Sequence, residues 1–175
     1  MRTITLIFFS LVFVLLYTCK SDSKELDTTL QEEQAKNNII SQKDINNLKY
    51  TDYILSGEAN TVILDWPKYQ ELNSHIDFLK KADFTFFKAE KDTLKSFLKT
   101  FNEEIPFKVK TNIVQSRITA LETKILLLNS TFNLDNIPKE ERIKTLREVL
   151  EAYANLNLQI NKKLELDANN IERPF

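Results

Sequence analysis

The most regular part of this sequence reads Val114-Gln-Ser-Arg-Ile-Thr-Ala-Leu-Glu-Thr-Lys-Ile-Leu-Leu-Leu-Asn-Ser-Thr-Phe132. Apolar residues recur in it at alternating steps of four and three, and they are Val114, Ile118, Leu121, Ile125, Leu128 and Phe132. This spacing places all six side chains on one face of a helix, and the segment contains neither Gly nor Pro. We therefore predict a long helix that begins near Phe107 and buries this face.

A second long helix is predicted directly after the first. Residues 133–137 are typical of a turn, and Pro138 followed by Glu140 and Glu141 is a favourable helix start. The helix pattern then continues through Ile143, Leu146, Leu150, Tyr153, Asn157, Ile160 and Leu164. Because the connection is short, we expect these two helices to form an antiparallel hairpin.

Two more helices are predicted before this hairpin. Residues 56–81 show a helical apolar period that Pro67 interrupts, which favours one kinked helix, or alternatively a new helix capped by Asp65. The next helix begins near Phe87 and ends before Ile105-Pro106, while residues 44–55 predict only a short helix. The predicted fold class is all-α, an antiparallel up-down bundle of about four helices spanning residues 44–175.

The first nineteen residues indicate an export signal. Met1-Arg2 is followed by the apolar run from Ile4 to Leu16, which is shorter than the roughly 20 residues that span a bilayer. The run ends at Leu16-Tyr17-Thr18-Cys19, which resembles the lipobox of bacterial lipoproteins, and especially the looser form found in Bacteroidetes-type lipoproteins. The resemblance implies that residues 1–18 are a signal peptide and that Cys19 is acylated; the alternative is a free Cys that happens to follow a signal peptide.

Residues 19–43 are polar, and their isolated apolar side chains are too few to offset the entropy of ordering. We interpret them as a flexible tether between the lipid anchor and the helical domain. Three further segments, Lys49–Tyr53, Asp65–Tyr69 and Arg117–Thr123, resemble a family of small helical Bacteroidetes-type lipoproteins. That resemblance implies a location in the cell envelope, on the outer membrane, and it implies no activity.

The composition excludes several classes of protein. The 175 residues carry 24 basic and 25 acidic side chains, a net charge of −1, so the basic excess of a nucleic-acid binder is missing. A single Gly excludes a phosphate-binding loop and a dinucleotide fingerprint. With one His, and with the one Cys expected to be acylated, no Ser/His/Asp or Cys/His set can be assembled. A paired-carboxylate hydrolase is the remaining enzymatic alternative, but no acidic pair stands out from the surface charges, so we predict no catalytic residues and no cofactor.

Small polar residues follow one face of the first long helix, and they are Asn112, Ser116, Thr119 and Thr123. They predict either a groove that binds a partner or a semi-buried seam between helices. Asn157 occupies an apolar position on the next helix, and counting from the turn places it opposite Asn112 or Ser116. If Asn157 only fixes the register of the helices, replacing it with Leu should leave the stability equal or higher. If Asn157 is instead part of a partner-binding groove, the same change should leave the fold unchanged and abolish binding of the partner.

Three aromatic residues, Phe84, Phe86 and Phe87, lie close together in a polar connection. They predict either a cap on the end of the bundle or an exposed anchor for a partner. His75 and Glu71 share a helix face, but the di-iron pattern needs two Glu-x-x-His motifs, so we predict no metal site.

These features favour a non-enzymatic envelope lipoprotein whose helical bundle binds an unknown envelope protein. The alternative is a helical bundle that binds a small ligand between its helices. In both cases the membrane is contacted through the N-terminal lipid, and no nucleic acid is expected.

Overall fold

A computed structural model describes residues 39–169 of the chain. These residues form six helices and no strand, with α1 at Gln42–Asn46, α2 at Gly57–Ile63, α3 at Pro67–Lys80, α4 at Lys91–Glu103, α5 at Asn112–Phe132 and α6 at Lys139–Ala168. Two 3₁₀ turns lie at Phe86–Lys88 and Phe107–Val109. The predicted all-α helical bundle is confirmed, while the up-down order of its helices stays a prediction.

The two long helices α5 and α6 form the predicted antiparallel hairpin. Near its turn, the Oγ1 atoms of Thr131 and Thr145 lie 3.1 Å apart, and farther along Lys124 Nζ lies 2.9 Å from Glu148 Oε2. Every apolar residue of the predicted α5 face is buried: Val114, Ile118, Leu121, Ile125, Leu128 and Phe132. Burying a side chain of this size stabilises the fold by about 1.5–3 kcal/mol, so this face supplies much of the core.

The region around Pro67 contains two helices, so the predicted single kinked helix is wrong. Pro67 is the first residue of α3, where its missing N–H costs nothing, and the turn before it carries Trp66 into the core. The Trp66 indole donates to the carbonyl of Phe101 at 2.9 Å. No side chain of the turn caps α3; instead the carboxylate of Glu104, beyond the end of α4, accepts from the backbone N–H of Lys68 at 3.1 Å.

Two helices begin later than their apolar residues predicted. The helix predicted from Phe107 begins at Asn112, because Thr111 caps it by accepting from the backbone N–H of Val114 at 3.2 Å. The helix predicted from Phe87 begins at Lys91, after the 3₁₀ turn. In both cases the apolar residues upstream belong to a 3₁₀ turn. Phe87 and Val109 of these turns are buried in the core, whereas Phe107 is 93% exposed.

The folded unit begins at Ile40, four residues before the predicted boundary at residue 44. Ile40 is only 6% exposed, and Ser41 and Asp44 form a reciprocal capping box at the start of α1. Asp44 also lies 2.8 Å from Lys139, and the hydrogen bonds from Lys139 and Ser41 lower the pKa of its carboxyl group. Residues 40–43 are therefore part of the domain, while the predicted signal peptide and residues 19–38 of the predicted tether lie outside the described residues.

Residues 47–56 connect α1 to α2 without regular secondary structure, and we call them the strap. The strap runs along α6 and α3, and its backbone is bound by side chains of α6. The candidate site lies beside it.

Candidate functional site

Two asparagines of α6 hold the strap in place. The Asn161 carboxamide accepts from the backbone N–H of Ser56 and donates to the carbonyl of Ile54, both at 2.8 Å. One turn earlier, Asn157 donates to the carbonyl of Tyr53 at 3.0 Å. A carboxamide offers the same donor and acceptor as a peptide group, so these side chains bind the strap as a neighbouring backbone would.

The buried side of the strap rests on a network of polar side chains from α3 and α6. The Tyr69 hydroxyl donates to Asn157 Oδ1 at 2.5 Å, and the Tyr153 hydroxyl lies 2.9 Å from Tyr69 Oη and 2.7 Å from Asn73 Oδ1. Burial, together with the adjacent Tyr153, raises the pKa of Tyr69, and burial likewise raises the pKa of Tyr153. Both phenols therefore stay neutral and serve as hydrogen-bonding groups.

Asn157 is buried, at 5% exposure, but the partners predicted for it are wrong. Its carboxamide faces α3 and the strap, and it bonds Tyr69 and Tyr53 instead of Asn112 or Ser116. Counting residues from the turn of the hairpin predicted how far along α6 Asn157 lies. The count could not predict in which direction around the helix axis its side chain points. α6 is buried on two sides, and Asn157 lies on the side away from α5.

A groove of about 590 Å³ opens between the strap, α2, α3 and α6, and we call it the strap groove. Its lining residues come from four parts of the chain: Asp52, Tyr53, Ile54 and Leu55 of the strap; Asn60, Ile63 and Leu64 from α2 and its end; Tyr69, Gln70, Asn73, Ser74, Asp77 and Lys80 of α3; and Tyr153 and Asn157 of α6. The buried tyrosine network forms part of its wall.

Charged and apolar groups both border the strap groove. Lys80 Nζ lies 2.7 Å from Asp52 Oδ2. Burial alone would lower the pKa of Lys80, but the hydrogen bond to Asp52 and the nearby negative charges raise it overall. Ile54 and Leu64 are 78% and 68% exposed, so two large apolar side chains stand in solvent at the same groove.

The predicted polar stripe on α5 lies elsewhere, on the solvent side of that helix. Its four residues, Asn112, Ser116, Thr119 and Thr123, are exposed. The three hydroxyls each donate to the carbonyl four residues earlier, at 2.8–3.1 Å. The semi-buried seam is therefore wrong for these residues, and a partner-binding role for them stays a prediction.

The three clustered phenylalanines pack onto the bundle. Phe87 is fully buried, while Phe84 and Phe86 are half-buried. Phe84 packs against Phe132 at 4.9 Å between ring centroids, and Phe86 stacks on His75 at 3.8 Å. Their contacts are those of a cap on the bundle, and none of the three is an exposed anchor.

His75 is held between an aromatic ring and a carboxylate. Its Nε2 lies 3.9 Å from Glu71 Oε1, and burial lowers its pKa although the charge of Glu71 opposes this. Within residues 39–169 no three His, Cys, Asp or Glu side chains are grouped as a metal site would require. In the same part of the chain, no helix has the length and apolar character needed to cross a membrane. Cys19 lies outside the described residues.

The strap groove itself was not predicted, although the sequence holds a signal for it. Tyr69 and Tyr153 lie on the apolar faces of two helices, and each is followed four residues later by an asparagine, Asn73 or Asn157. A Tyr in such a face brings a hydroxyl that must find a partner when buried. Two such pairs indicate that the polar groups of these side chains on α3 and α6 face each other.

In comparisons with known proteins, no family model, no curated protein and no solved structure matches this chain.

Proposed function

We propose that this protein is a lipid-anchored envelope protein whose helical domain binds a segment of another protein in the strap groove. In this proposal Cys19 carries the lipid, the residues between it and Ile40 connect anchor and domain, and the domain performs no catalysis. Support for the anchor comes from the position of Cys19 directly after the apolar run of the sequence.

The observation that carries the binding proposal is the chemistry of the strap groove. It combines carboxamide and hydroxyl side chains with Ile54 and Leu64, two large apolar side chains exposed to solvent. Such a mixture suits a peptide segment, which offers N–H and C=O groups together with apolar side chains. The lining includes no His and no Cys, and the two buried phenols, those of Tyr69 and Tyr153, have raised pKa values, which favours binding over catalysis.

Site-specific photo-crosslinking in the native envelope tests this proposal. The photoreactive amino acid p-benzoylphenylalanine would replace Leu64 at the groove, and Leu134, which is also exposed but lies in the turn before α6, as the control. We expect a discrete cross-linked protein from position 64 and none from position 134. The absence of any product from position 64, or the same products from both positions, would contradict the proposal.

The anchor is tested separately by labelling cells with a fatty acid. We expect wild-type protein to incorporate the label and Cys19→Ser to lose it. Label retained by Cys19→Ser would show that Cys19 is not the acylated residue.

The size of the groove favours a second candidate function, which is binding of a small polar ligand. Its volume of about 590 Å³ lies within the roughly 300–1,000 Å³ of small-molecule sites. Native mass spectrometry of protein purified from its own envelope distinguishes the two functions. A bound small molecule that is lost when Tyr153 is replaced by Phe would favour the ligand.

A further inference from the structure

We infer that the strap groove recognises an arginine side chain of the partner's segment, through hydrogen-bond acceptors on α3 and the net negative charge of the groove. This inference rests on the proposed function, since it names the chemistry that the same groove would bind. Its basis is that donors in the groove wall are already bonded within the domain, so that acceptors remain.

Two side chains of α3 direct their donors inward and leave acceptors over. Gln70 donates both amide hydrogens, to the carbonyls of Ile63 at 3.4 Å and Leu64 at 3.1 Å, so its Oε1 is left without a partner among the described residues. Ser74 donates its single hydroxyl proton to the carbonyl of Gln70 at 3.1 Å. The oxygens of both side chains therefore remain as acceptors in the groove wall.

Asn73 supplies another acceptor. Its Oδ1 accepts from the Tyr153 hydroxyl at 2.7 Å, while the Tyr69 proton is used on Asn157 Oδ1. A carboxamide oxygen has two lone pairs, so the second lone pair of Asn73 Oδ1 is left for the groove.

The net charge of the groove, like its acceptors, favours a positively charged hydrogen-bond donor. It contains the carboxylates of Asp52 and Asp77 and the ammonium of Lys80, which gives one net negative charge. Asp52 is paired with Lys80, whereas Asp77 has no hydrogen bond or ion pair among the described residues. Ser74 and Asp77 lie three residues apart, and Asn73 and Asp77 four, so these acceptors are neighbours on one helix face.

A guanidinium group complements this wall better than other side chains do. It carries five N–H donors in a planar fork and no acceptor, so it can bond a carboxylate and a neighbouring oxygen together. The exposed Ile54 and Leu64 line the same groove and offer contacts to apolar residues that neighbour such an arginine in a peptide. These contacts favour arginine within a peptide over the free amino acid.

Isothermal titration of the full-length protein at low salt tests the inference. The probes are the peptide acetyl-Leu-Arg-Leu-amide, the same peptide with the neutral isostere citrulline, and N-acetyl-arginine amide. We expect the arginine peptide to bind about tenfold or more tightly than the citrulline peptide, as a charge-assisted hydrogen bond allows. We expect Asp77→Asn to abolish this preference, and Asp135→Asn, which changes an exposed acid outside the groove, to leave it intact.

Each other outcome overturns the inference in a distinguishable way. Equal binding of the arginine and citrulline peptides would refute arginine recognition and leave the groove as a peptide site. N-acetyl-arginine amide binding as tightly as the peptide would refute the peptide as occupant. If no probe binds up to about 5 mM, arginine recognition fails, and the cross-linking at position 64 decides separately whether the groove binds a protein.

Discussion

The carboxamide of Asn157 serves two partners that lie on different elements of the fold. It accepts from the Tyr69 hydroxyl and donates to the Tyr53 carbonyl, so it joins α6 to both α3 and the strap. This arrangement reverses the expectation that Leu would be tolerated at this position of the apolar face. A leucine fills the space but leaves the Tyr53 carbonyl without its donor and the buried Tyr69 hydroxyl with Tyr153 as its remaining partner.

We predict that Asn157→Leu lowers the free energy of unfolding by about 1–3 kcal/mol, the cost of leaving buried polar groups unpaired. Urea unfolding followed by circular dichroism measures this. The matched control is Asn155→Leu, at an exposed position of the same helix, which should change the stability by less than about 0.5 kcal/mol. A midpoint for Asn157→Leu equal to or above that of the wild type would contradict the prediction.

The stacked His75 predicts a pH dependence of stability. Burial lowers the pKa of His75 in the folded protein below its ordinary value of 6.5, although Glu71 opposes the shift. The unfolded chain therefore binds the proton more tightly, and protonation favours unfolding. The contribution of His75 to stability is fully present above pH 6.5 and is lost as the pH falls toward the lower pKa of the folded state.

The measurement is the melting temperature of the wild type minus that of His75→Gln, which cannot titrate at this position. We expect this difference to decrease as the pH is lowered from about 7.5 to about 5.5, since the carboxylates are common to both proteins. A constant difference would show that Glu71 cancels the effect of burial, and an increase on acidification would show that Glu71 outweighs it; either result would contradict the prediction.

At the level of elements, the strap has no regular secondary structure of its own, and side chains of α6 hold its backbone in place. Asn161 binds two of its backbone groups, and these groups are open to water when the side chain is removed. We predict that Asn161→Ala costs less than about 1 kcal/mol of global stability, because water replaces exposed hydrogen bonds. The Ser56 amide should nevertheless lose its protection against hydrogen exchange.

Hydrogen exchange resolved by residue checks this, with Lys162→Ala as the control at the neighbouring exposed position. In the control the Ser56 amide should exchange as in the wild type. Unchanged protection of Ser56 in Asn161→Ala would mean that the strap is held mainly by packing.

How far the elements could be predicted depends on what determines each one. The α5 face was predictable because six apolar residues at steps of four and three leave no other regular structure that buries them. The break before Pro67 was not, because Pro67 suits both a kinked helix and a helix start, and burial of Trp66 decides between them. The sequence of the strap shows no apolar periodicity. Its conformation could not be predicted, because its hydrogen bonds go to Asn157 and Asn161, about a hundred residues away.

The candidate site was less predictable than the fold for the same reason. Asn157 was singled out from its position, but its partners depend on the direction in which α6 turns it. The α5 stripe had a clear pattern, yet Ser116 and Thr119 bond their own helix and face solvent. A pattern along one helix predicts which residues share a face, and the packing of three elements determines what that face meets.

In the whole molecule, α6 is the element that joins the core to the site. One side of it packs on α5, as the contacts of Thr145 and Glu148 show. Its other side supplies Tyr153 and Asn157 to the strap groove. Because the hairpin fixes α6, a rigid element positions the groove, and we expect ligands to meet a largely preformed wall.

The start of the folded unit gives the last prediction, which concerns the cooperativity of the molecule. Ile39 and Ile40 are adjacent and chemically identical, but Ile39 is 64% exposed and Ile40 only 6%. If residues 40–46 unfold together with the helices, Ile40→Ala should lower the free energy of unfolding by about 2–3 kcal/mol, at the lower end for a buried isoleucine because the segment lies near the end of the folded unit. Ile39→Ala should change it by less than about 0.5 kcal/mol. Urea unfolding of the two variants compares them directly, since both remove the same atoms from the same stretch of chain. Equal midpoints for the two would mean that α1 detaches before the bundle unfolds, and that the cooperative unit begins at the strap, where Asn157 and Asn161 bind it.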